Sequence, residues 1–531
     1  VGNRDVGNIA PRKTASFCPG WPAGPLPTGG SGVIIKPRAV DTYYVNMMYT
    51  RRHPKGGAIM TKKPSLQSII EEKGNIVPVL RNSKIGIYVY PVVASEFSNW
   101  RDEQRAWRDS AVLFDQSHHM DELVVEGPDA AKFLESFAIN SFANFETSRA
   151  KHYVPVSPDG YVIGDMIIFR EEQNKFVLVG RAPTANWLRY NASLGKHNIK
   201  VTHDPRSPSR PDGKKVERIH YRFQIQGPDA PKIFEKMNGG PIPDIKFFHV
   251  DWINIAGRKV RALRHGMAGA PGLEVWGPYA EKDEVRDAIL KAAADVGSDL
   301  RQVGSRAYST NTLESGWIPS PLPAIYTGDE LKGYREWLGP DSYEASCSIG
   351  GSFISNDIRD YYTSPYELGY GIYIKFDHDF VGRKALEQMK GKPHRKKVTF
   401  EWNSDDVVNV IASAFKPGET PYKWIDFPQP NYCSSGFDKV MRDGKQVGFS
   451  MFNGYSYNER CMLSLGVVDP DVKEGDILTL VWGEPDGTQK TSTERHKPAE
   501  IRVRVSATPY AREARENYAE SWRTKRSVAV A

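Results

Sequence analysis

The chain switches between two hydrophobic periods, and the switches mark its elements. "PSLQSIIEEKG" (Pro64–Gly74) spaces its apolar residues for one helical face and closes on a glycine, which suits a helix end. "RNSKIGIYVYPVV" (Arg81–Val93) alternates in its centre and reads as a strand. "EFSNWRDEQRAWRDSAVLFDQS" (Glu96–Ser117) begins as a polar helix and finishes in a short buried strand, "AVLFD". An internal echo follows. "VEGPDAAKFLESF" (Val125–Phe137) resembles "IQGPDAPKIFEKM" (Ile225–Met237), and each reads as a strand, a Gly-Pro turn and an amphipathic helix. The copies lie about 100 residues apart, too far for a solenoid, so they point to two related α+β lobes.

After about residue 395 the period shortens. "KKVTFEWNS", "KVMRDGKQVGFSMF", "DILTLVWGEPDG" and "AEIRVRVSATPY" read as short alternating strands broken by Gly, Asp and Asn. "DGKQ" and "EPDG" suit hairpin turns. The expected fold is therefore α+β. Two interleaved lobes span 60–395, an antiparallel β-barrel-like domain spans 396–510, and a charged tail, frayed or weakly helical, spans 511–531.

Composition changes this picture mainly at the N-terminus. The 531 residues are 40% hydrophobic and 11% aromatic, enough for large cores and for about two to four domains. Residues 1–59 hold eight Lys/Arg against two Asp, whereas the remainder holds 63 basic and 62 acidic residues. The near-neutral body argues against a nucleic-acid partner. "CPGWPAGPLPTGGSG" (Cys18–Gly32) has neither helical nor strand periodicity and is expected to be disordered. It lacks the apolar core of a signal peptide, and its Gly/Pro punctuation does not suit an amphipathic transit peptide. Residues 1–59 thus read as an upstream extension that is not native, with Met60 as the start, and a genuine targeting segment stays open as the alternative. Mean hydropathy is −0.51, and no apolar run approaches the ~20 residues of a membrane span. The four Cys are widely separated, which fits a reducing, cytoplasmic setting.

Several chemistries are absent. There is no P-loop, HExxH or nucleophile elbow. "GMAGAPG" (Gly266–Gly272) lacks dinucleotide-binding spacing and suits a tight turn. "DQSHHM" (Asp115–Met120) sets His118 beside His119; adjacent strand residues face opposite ways, so the pair suits one buried, hydrogen-bonded His better than a metal site.

"FDQSHHM", "GLEVWGP" (Gly272–Pro278), "SRAYSTNTLESG" (Ser305–Gly316) and "SPYELGYGIYIKFDHDFVGRKAL" (Ser364–Leu386) together resemble the glycine-cleavage T-protein superfamily. "RNSKIGIYVYPVVASEFSNW", "SPSRP", "RHGMAGAPGLEVWGPY" and "SRAYSTNTLESGWIPSPLPAIYTG" resemble, more narrowly, its tetrahydrofolate-dependent aryl O-demethylases acting on vanillate and 3-O-methylgallate. The likeness runs from Met60 to the C-terminus. Two departures from the T-protein pattern agree with that branch. Tyr308 stands where the superfamily has Asp, and an Asp pair is reduced to Gly164-Asp165.

The resemblance implies methyl transfer from a methoxybenzoate to N5 of tetrahydrofolate, with no metal, and Tyr308 as proton donor to the leaving phenolate. A Tyr suits that task because phenol and Tyr share a pKa near ~10, and matched pKa values favour concerted transfer. By the same resemblance Glu274, Trp317 and Gln224 would bind the folate. Arg181 would bind the substrate carboxylate, and Tyr90, Gln116 and His119 would line the ring pocket and bond the 4-hydroxyl. Arg306 would steady negative charge or serve structure alone. Two other readings stay open: demethylation of another small methyl donor, such as a sulfonium carboxylate, and a non-catalytic folate-binding protein. The oligomeric state is open.

Overall fold

The computed structural model describes residues 63–516, apart from 86–87, 211–212 and 320. The reading of residues 1–59, and of the tail beyond 516, lies outside the described residues. The helix expected at the N-terminus runs Leu66–Lys73, capped reciprocally by Ser65 and Ser68 and ended by Gly74.

The two echoing segments do build two lobes. In the first, a five-stranded sheet has the order Ala150–Tyr153, Met166–Glu172, Lys175–Gly180, Asp121–Glu126, Lys200–Asp204. In the second, six strands have the order Leu300–Gln302, Ala111–Asp115, His220–Gln226, Gly272–Pro278, Arg258–Leu263, Val250–Ile255. Asp121–Glu126 and His220–Gln226 each run through a Gly-Pro turn into a helix, Ala130–Glu135 and Ala230–Asn238. Gly127 and Gly227 share a φ of 132°. A Cβ on Gly227 would sit 2.4 Å from the Ser110 carbonyl oxygen, and one on Gly127 2.6 Å from that of Asn198. Glycine is required at both turns because the backbone closes there on a neighbouring chain segment.

The lobes are interleaved. Ala111–Asp115 belongs to the second sheet, yet the strand that follows it, Asp121–Glu126, belongs to the first. Residues 116–120 therefore cross from one sheet to the other, and they carry the "QSHHM" run.

Six antiparallel strands close a barrel in the order Lys396–Trp402, Cys461–Val468, Lys445–Ser456, Asp438–Arg442, Ile477–Trp482, Ala499–Ser506. Alternation fills its interior with Phe400, Trp402, Leu480, Ile501 and Val503, all nearly or wholly buried. Asp443 and Gly444, with φ of 50° and 78°, form the expected "DG" hairpin. "EPDG" does not form one. Glu484 is buried and paired with Lys423 at 2.9 Å and His496 at 3.3 Å, and residues 483–498 make a long excursion before the next strand.

The barrel is clasped to the lobes by Glu314. Its carboxylate accepts from Trp107 Nε1 (3.0 Å), Arg108 (3.3 Å), Ser456 Oγ (2.9 Å) and Asn458 Nδ2 (3.1 Å). The described residues form one compact unit. None of their helices is long and apolar enough to cross a membrane. The alternating stretch Arg81–Val93 is not a strand: a helix, Val77–Arg81, ends there and irregular backbone follows. Tyr88 and Tyr90 alternate because they turn into a cavity, not onto a sheet face.

Candidate active site

Tyr308 ends the short helix Ser305–Tyr308. That helix is set by Gly304, whose N–H donates to the buried Glu103 carboxylate at 2.9 Å. The same carboxylate accepts from the N–H groups of Phe97 and Ser98 at 2.7 and 2.9 Å, fixing the loop before it. Tyr308 is 7% exposed, with Phe114 edge-on at 5.3 Å and Tyr90 at 4.5 Å between centroids.

Its hydroxyl sits between two crossing-segment residues. Gln116 Nε2 donates to it at 3.2 Å, and His119 Nε2 lies 3.0 Å away. His119 Nδ1 faces the Gln116 carbonyl at 3.1 Å and Tyr90 Oη at 3.0 Å. Tyr90 in turn donates to the Asp115 carbonyl at 2.9 Å. A carbonyl only accepts, so Nδ1 carries the proton and Nε2 is left as an acceptor for the Tyr308 O–H. Burial, together with the Arg206 and Arg181 charges, holds the His119 pKa well below the usual histidine range, so the ring is neutral. Burial raises the Tyr308 pKa well above the usual tyrosine range, so it keeps its proton at neutral pH.

Tyr90, His119, Tyr308, Arg181 and Arg206 line a cavity of about 400 Å³. Neither guanidinium pairs with a carboxylate among the described residues. Burial opposes the charge on Arg181, but Tyr343, Tyr88 and the Asp165 carboxylate together outweigh it and raise its pKa. A second cavity, of about 670 Å³, lies between the lobes and includes His152, Asp165 and His265 in its wall. The two cavities share four lining residues: Met120, Arg181, Met267 and Trp317.

Asp165 is the polar node of the larger cavity. Its Oδ2 accepts from His152 Nε2 (2.9 Å), Trp317 Nε1 (2.8 Å) and Tyr370 Oη (2.8 Å). Burial opposes its charge, but those bonds, led by His152, hold the carboxyl below its usual pKa. A mostly apolar chamber within the ~300–1,000 Å³ of ligand sites, with a charged acceptor in its wall, fits the N–H-rich ring of a folate.

The residues singled out from sequence are only partly brought together. Tyr308, Tyr90, His119 and Arg181 converge on the smaller cavity, and Trp317 stands where the two cavities meet. Gln116, expected to line the ring pocket, instead stands behind Tyr308 and joins it to Gln224 at 3.2 Å. Gln224 is fully buried and donates to the His265 carbonyl at 3.1 Å. Glu274 is held by Arg222 at 2.5 Å, with that guanidinium over the Trp276 ring at 4.8 Å. Neither Gln224 nor Glu274 lines either of these two cavities. Arg306 points outward, to Glu96 at 3.2 Å and the Phe427 carbonyl, which is a structural role. His118 and His119 do face apart: His118 bonds Ser207 Oγ at 3.0 Å and Tyr279 Oη at 2.8 Å. Among the described residues no three His, Cys, Asp or Glu converge as metal ligands.

Sequence reading missed Arg206, Met120 and Met267. Arg206 directly precedes "SPSRP", and the two Met lie inside quoted motifs, but nothing in their spacing marks them.

Comparison with known proteins gives the family. Residues 73–320 match the GCVT N-terminal domain family. The chain is 48% identical over 465 residues to syringate O-demethylase from Sphingobium sp. (strain NBRC 103272 / SYK-6), covering 87% of this chain and 99% of that one. It is 30% identical over 401 residues to sesamin methylene transferase from Sinomonas sp. (strain No.22), covering 73% and 82%. The glycine cleavage system aminomethyltransferase T structure from Bartonella henselae superposes with a TM-score of 0.52 at 17% identity, over 85% of this chain and 99% of that one, and shares the fold. The chain belongs to the T-protein superfamily, in its branch of folate-dependent aryl O-demethylases. It is a methyltransferase, and tetrahydrofolate is its methyl acceptor.

Proposed function

We propose that this enzyme demethylates a methoxybenzoate in the smaller cavity, with Tyr308 as proton donor to the leaving oxygen. One observation carries the reading: a buried, protonated Tyr308 shares a cavity with two guanidiniums that have no carboxylate partner among the described residues. A planar guanidinium fork is suited to a carboxylate, so Arg181 and Arg206 would hold the acid end of the ring.

Tetrahydrofolate, bound in the larger cavity, supplies N5 as the nucleophile that accepts the methyl. Asp165, Trp317 and His152 would hold it there. The methyl would cross where Met120, Met267, Arg181 and Trp317 border both cavities, a site whose thioethers are polarisable and exclude water.

In the resting arrangement Tyr308 donates to His119 Nε2. An ether oxygen arriving beside it competes for the same proton. Gln116 then steadies the tyrosine oxygen as its proton leaves, and the N–H proton that the acceptor nitrogen would shed on gaining the methyl would restore the Tyr308 hydroxyl by way of solvent. Burial raises the Tyr308 pKa and acts in the same direction on a phenol leaving group held in the same cavity, so donor and acceptor shift together. Glu274, Gln224 and Gln116 act from behind, holding the strands and Tyr308 in place.

Likeness to a syringate O-demethylase supports testing syringate beside vanillate and 3-O-methylgallate. The test is turnover of each by purified enzyme with tetrahydrofolate under anaerobic conditions. A demethylated phenol appearing with 5-methyltetrahydrofolate is expected from at least one. No phenol from any of the three would overturn the reading and favour another methyl donor.

A further inference from the structure

Methyl transfer to a secondary amine leaves one proton to place. N5 of tetrahydrofolate carries a hydrogen, and once the N5–C bond forms it is a cationic ammonium until that hydrogen leaves. Such a charge is costly in a mostly apolar chamber. His152, His265, Asp165 and Asp377 stand in the wall of the larger cavity. Asp377 is exposed and pairs with His378 at 3.0 Å. Burial drives the His265 pKa down to about 4, so His265 is a weak base. Asp165 is a weak base too: burial favours its protonated form, yet the bonds on Oδ2, led by that of His152, hold the carboxyl below its usual range.

His152 differs in geometry. It lines the cavity with its side chain 18% exposed. Nε2 meets Asp165 Oδ2 at 2.9 Å, and a carboxylate only accepts, so the proton sits on Nε2 and Nδ1 keeps its lone pair. No described residue hydrogen-bonds Nδ1. The rings of Tyr370 and Tyr373 pack edge-on against the imidazole at 4.7 and 5.8 Å and fix its plane. Trp317 Nε1 donates to the same Asp165 oxygen at 2.8 Å. Trp317 borders both cavities, so His152 stands within two hydrogen-bond lengths of a residue at the crossing point of the methyl.

We infer that His152 is the base that receives the N5 proton, with Asp165 as the positioning residue that orients it. This rests on the placement of tetrahydrofolate in the larger cavity proposed above. As N5 attacks, the methyl–oxygen bond of the ether breaks and the N5–C bond forms. Tyr308 gives its proton to the departing oxygen, and the N5 proton passes to His152 Nδ1. The imidazolium so formed is paired with the Asp165 carboxylate at 2.9 Å, which favours its charge inside the chamber. Solvent then carries that proton back to Tyr308, and no atom is oxidised or reduced. The acid and the base of the reaction thus stand in different cavities, one on each side of the transferred methyl.

The test has a binding arm and a turnover arm, both on the full-length enzyme. Calorimetric titration compares tetrahydrofolate with 5-methyltetrahydrofolate. Wild type is expected to bind tetrahydrofolate more tightly by on the order of 10-fold, because the N5 methyl takes away the N–H donor that Nδ1 accepts from. His152→Phe is expected to lose that preference. His152→Gln keeps an N–H for Asp165 but supplies no base. It is expected to keep its affinity for tetrahydrofolate and to lose roughly 100-fold in kcat under anaerobic turnover. An unchanged folate preference in His152→Phe, or near wild-type kcat in His152→Gln, would overturn the assignment. Loss of both folates by both variants would mark His152 as structural and overturn it as well. Binding is read without turnover. A wild type that prefers tetrahydrofolate through His152 yet yields no phenol would therefore overturn the demethylase reading and leave the N5 contact of His152 standing.

Discussion

Replacing Tyr308 by Phe removes one oxygen from the centre of the smaller cavity and little else. The ring keeps its contacts with Phe114 and Tyr90. Gln116 keeps its bond to Gln224, and His119 keeps the Gln116 carbonyl and Tyr90. The folding cost is therefore modest, about 2 kcal/mol for the two hydrogen bonds lost to Gln116 and His119. The kinetic cost is much larger. A positioned proton donor contributes roughly 10²–10⁴-fold, which is about 3–5 kcal/mol of barrier. The two readouts separate cleanly: circular dichroism and thermal melting follow the fold, and anaerobic phenol production follows the chemistry. The expectation is a loss of kcat by at least about 100-fold, with KM and melting temperature nearly unchanged. Burial raises the Tyr308 pKa, so no alkaline fall in wild-type rate from this group is expected below about pH 10. A Phe variant retaining a third or more of wild-type kcat would refute the proton-donor role.

Other substitutions probe the remaining parts. Arg181→Met is expected to raise KM for a methoxybenzoate by about 10–100-fold while leaving the weak turnover of the corresponding benzyl alcohol unchanged; steady-state kinetics on the pair checks this, and equal effects on both would count against carboxylate binding. Gly227→Ala is expected to lower stability by several kcal/mol, roughly 3, because a side chain at φ 132° would also meet the Ser110 carbonyl at 2.4 Å; urea unfolding checks it. His118 has its pKa lowered from 6.5 to about 4, first by burial and then by Arg218, against the opposing pull of Asp115. The unfolded chain thus binds this proton more readily than the folded one, so stability present above pH 6.5 is lost as pH falls toward 4, up to about 3 kcal/mol. Denaturant titrations across that range should show a shallower loss for His118→Asn than for wild type.

The parts of the fold legible in sequence are those whose causes are local. The Gly-Pro turns, the "DG" hairpin and the helix ended by Gly74 all follow from backbone freedom at one glycine and a periodic run beside it. The barrel strands alternate because one face of each fills the interior. Arg81–Val93 misled for the same reason: Tyr88 and Tyr90 alternate toward a cavity made by other segments, and no local rule separates that from a sheet. "EPDG" misled because Glu484 is drawn into a buried ion pair with Lys423, 61 residues away. The site divides in the same way. Tyr308, Tyr90 and His119 sit in motifs that resemble the family, Arg181 is carried over by the same resemblance, and the four do meet. Gln116 and Glu274 lie in such motifs too, and Gln224 is carried over with them, yet the interleaving of the lobes sets all three behind the walls of these cavities. Arg206, Met120 and Met267 become visible only when segments far apart in sequence close on one another.

The most direct test of the central claim follows the methyl group itself. Vanillate or syringate carrying a trideuterated methyl ether is incubated anaerobically with enzyme and tetrahydrofolate, and both products are weighed by mass spectrometry. Direct transfer requires 5-methyltetrahydrofolate with all three deuterons, formed one-for-one with the demethylated phenol. Label lost from the folate, or phenol formed without methylated folate, would contradict it.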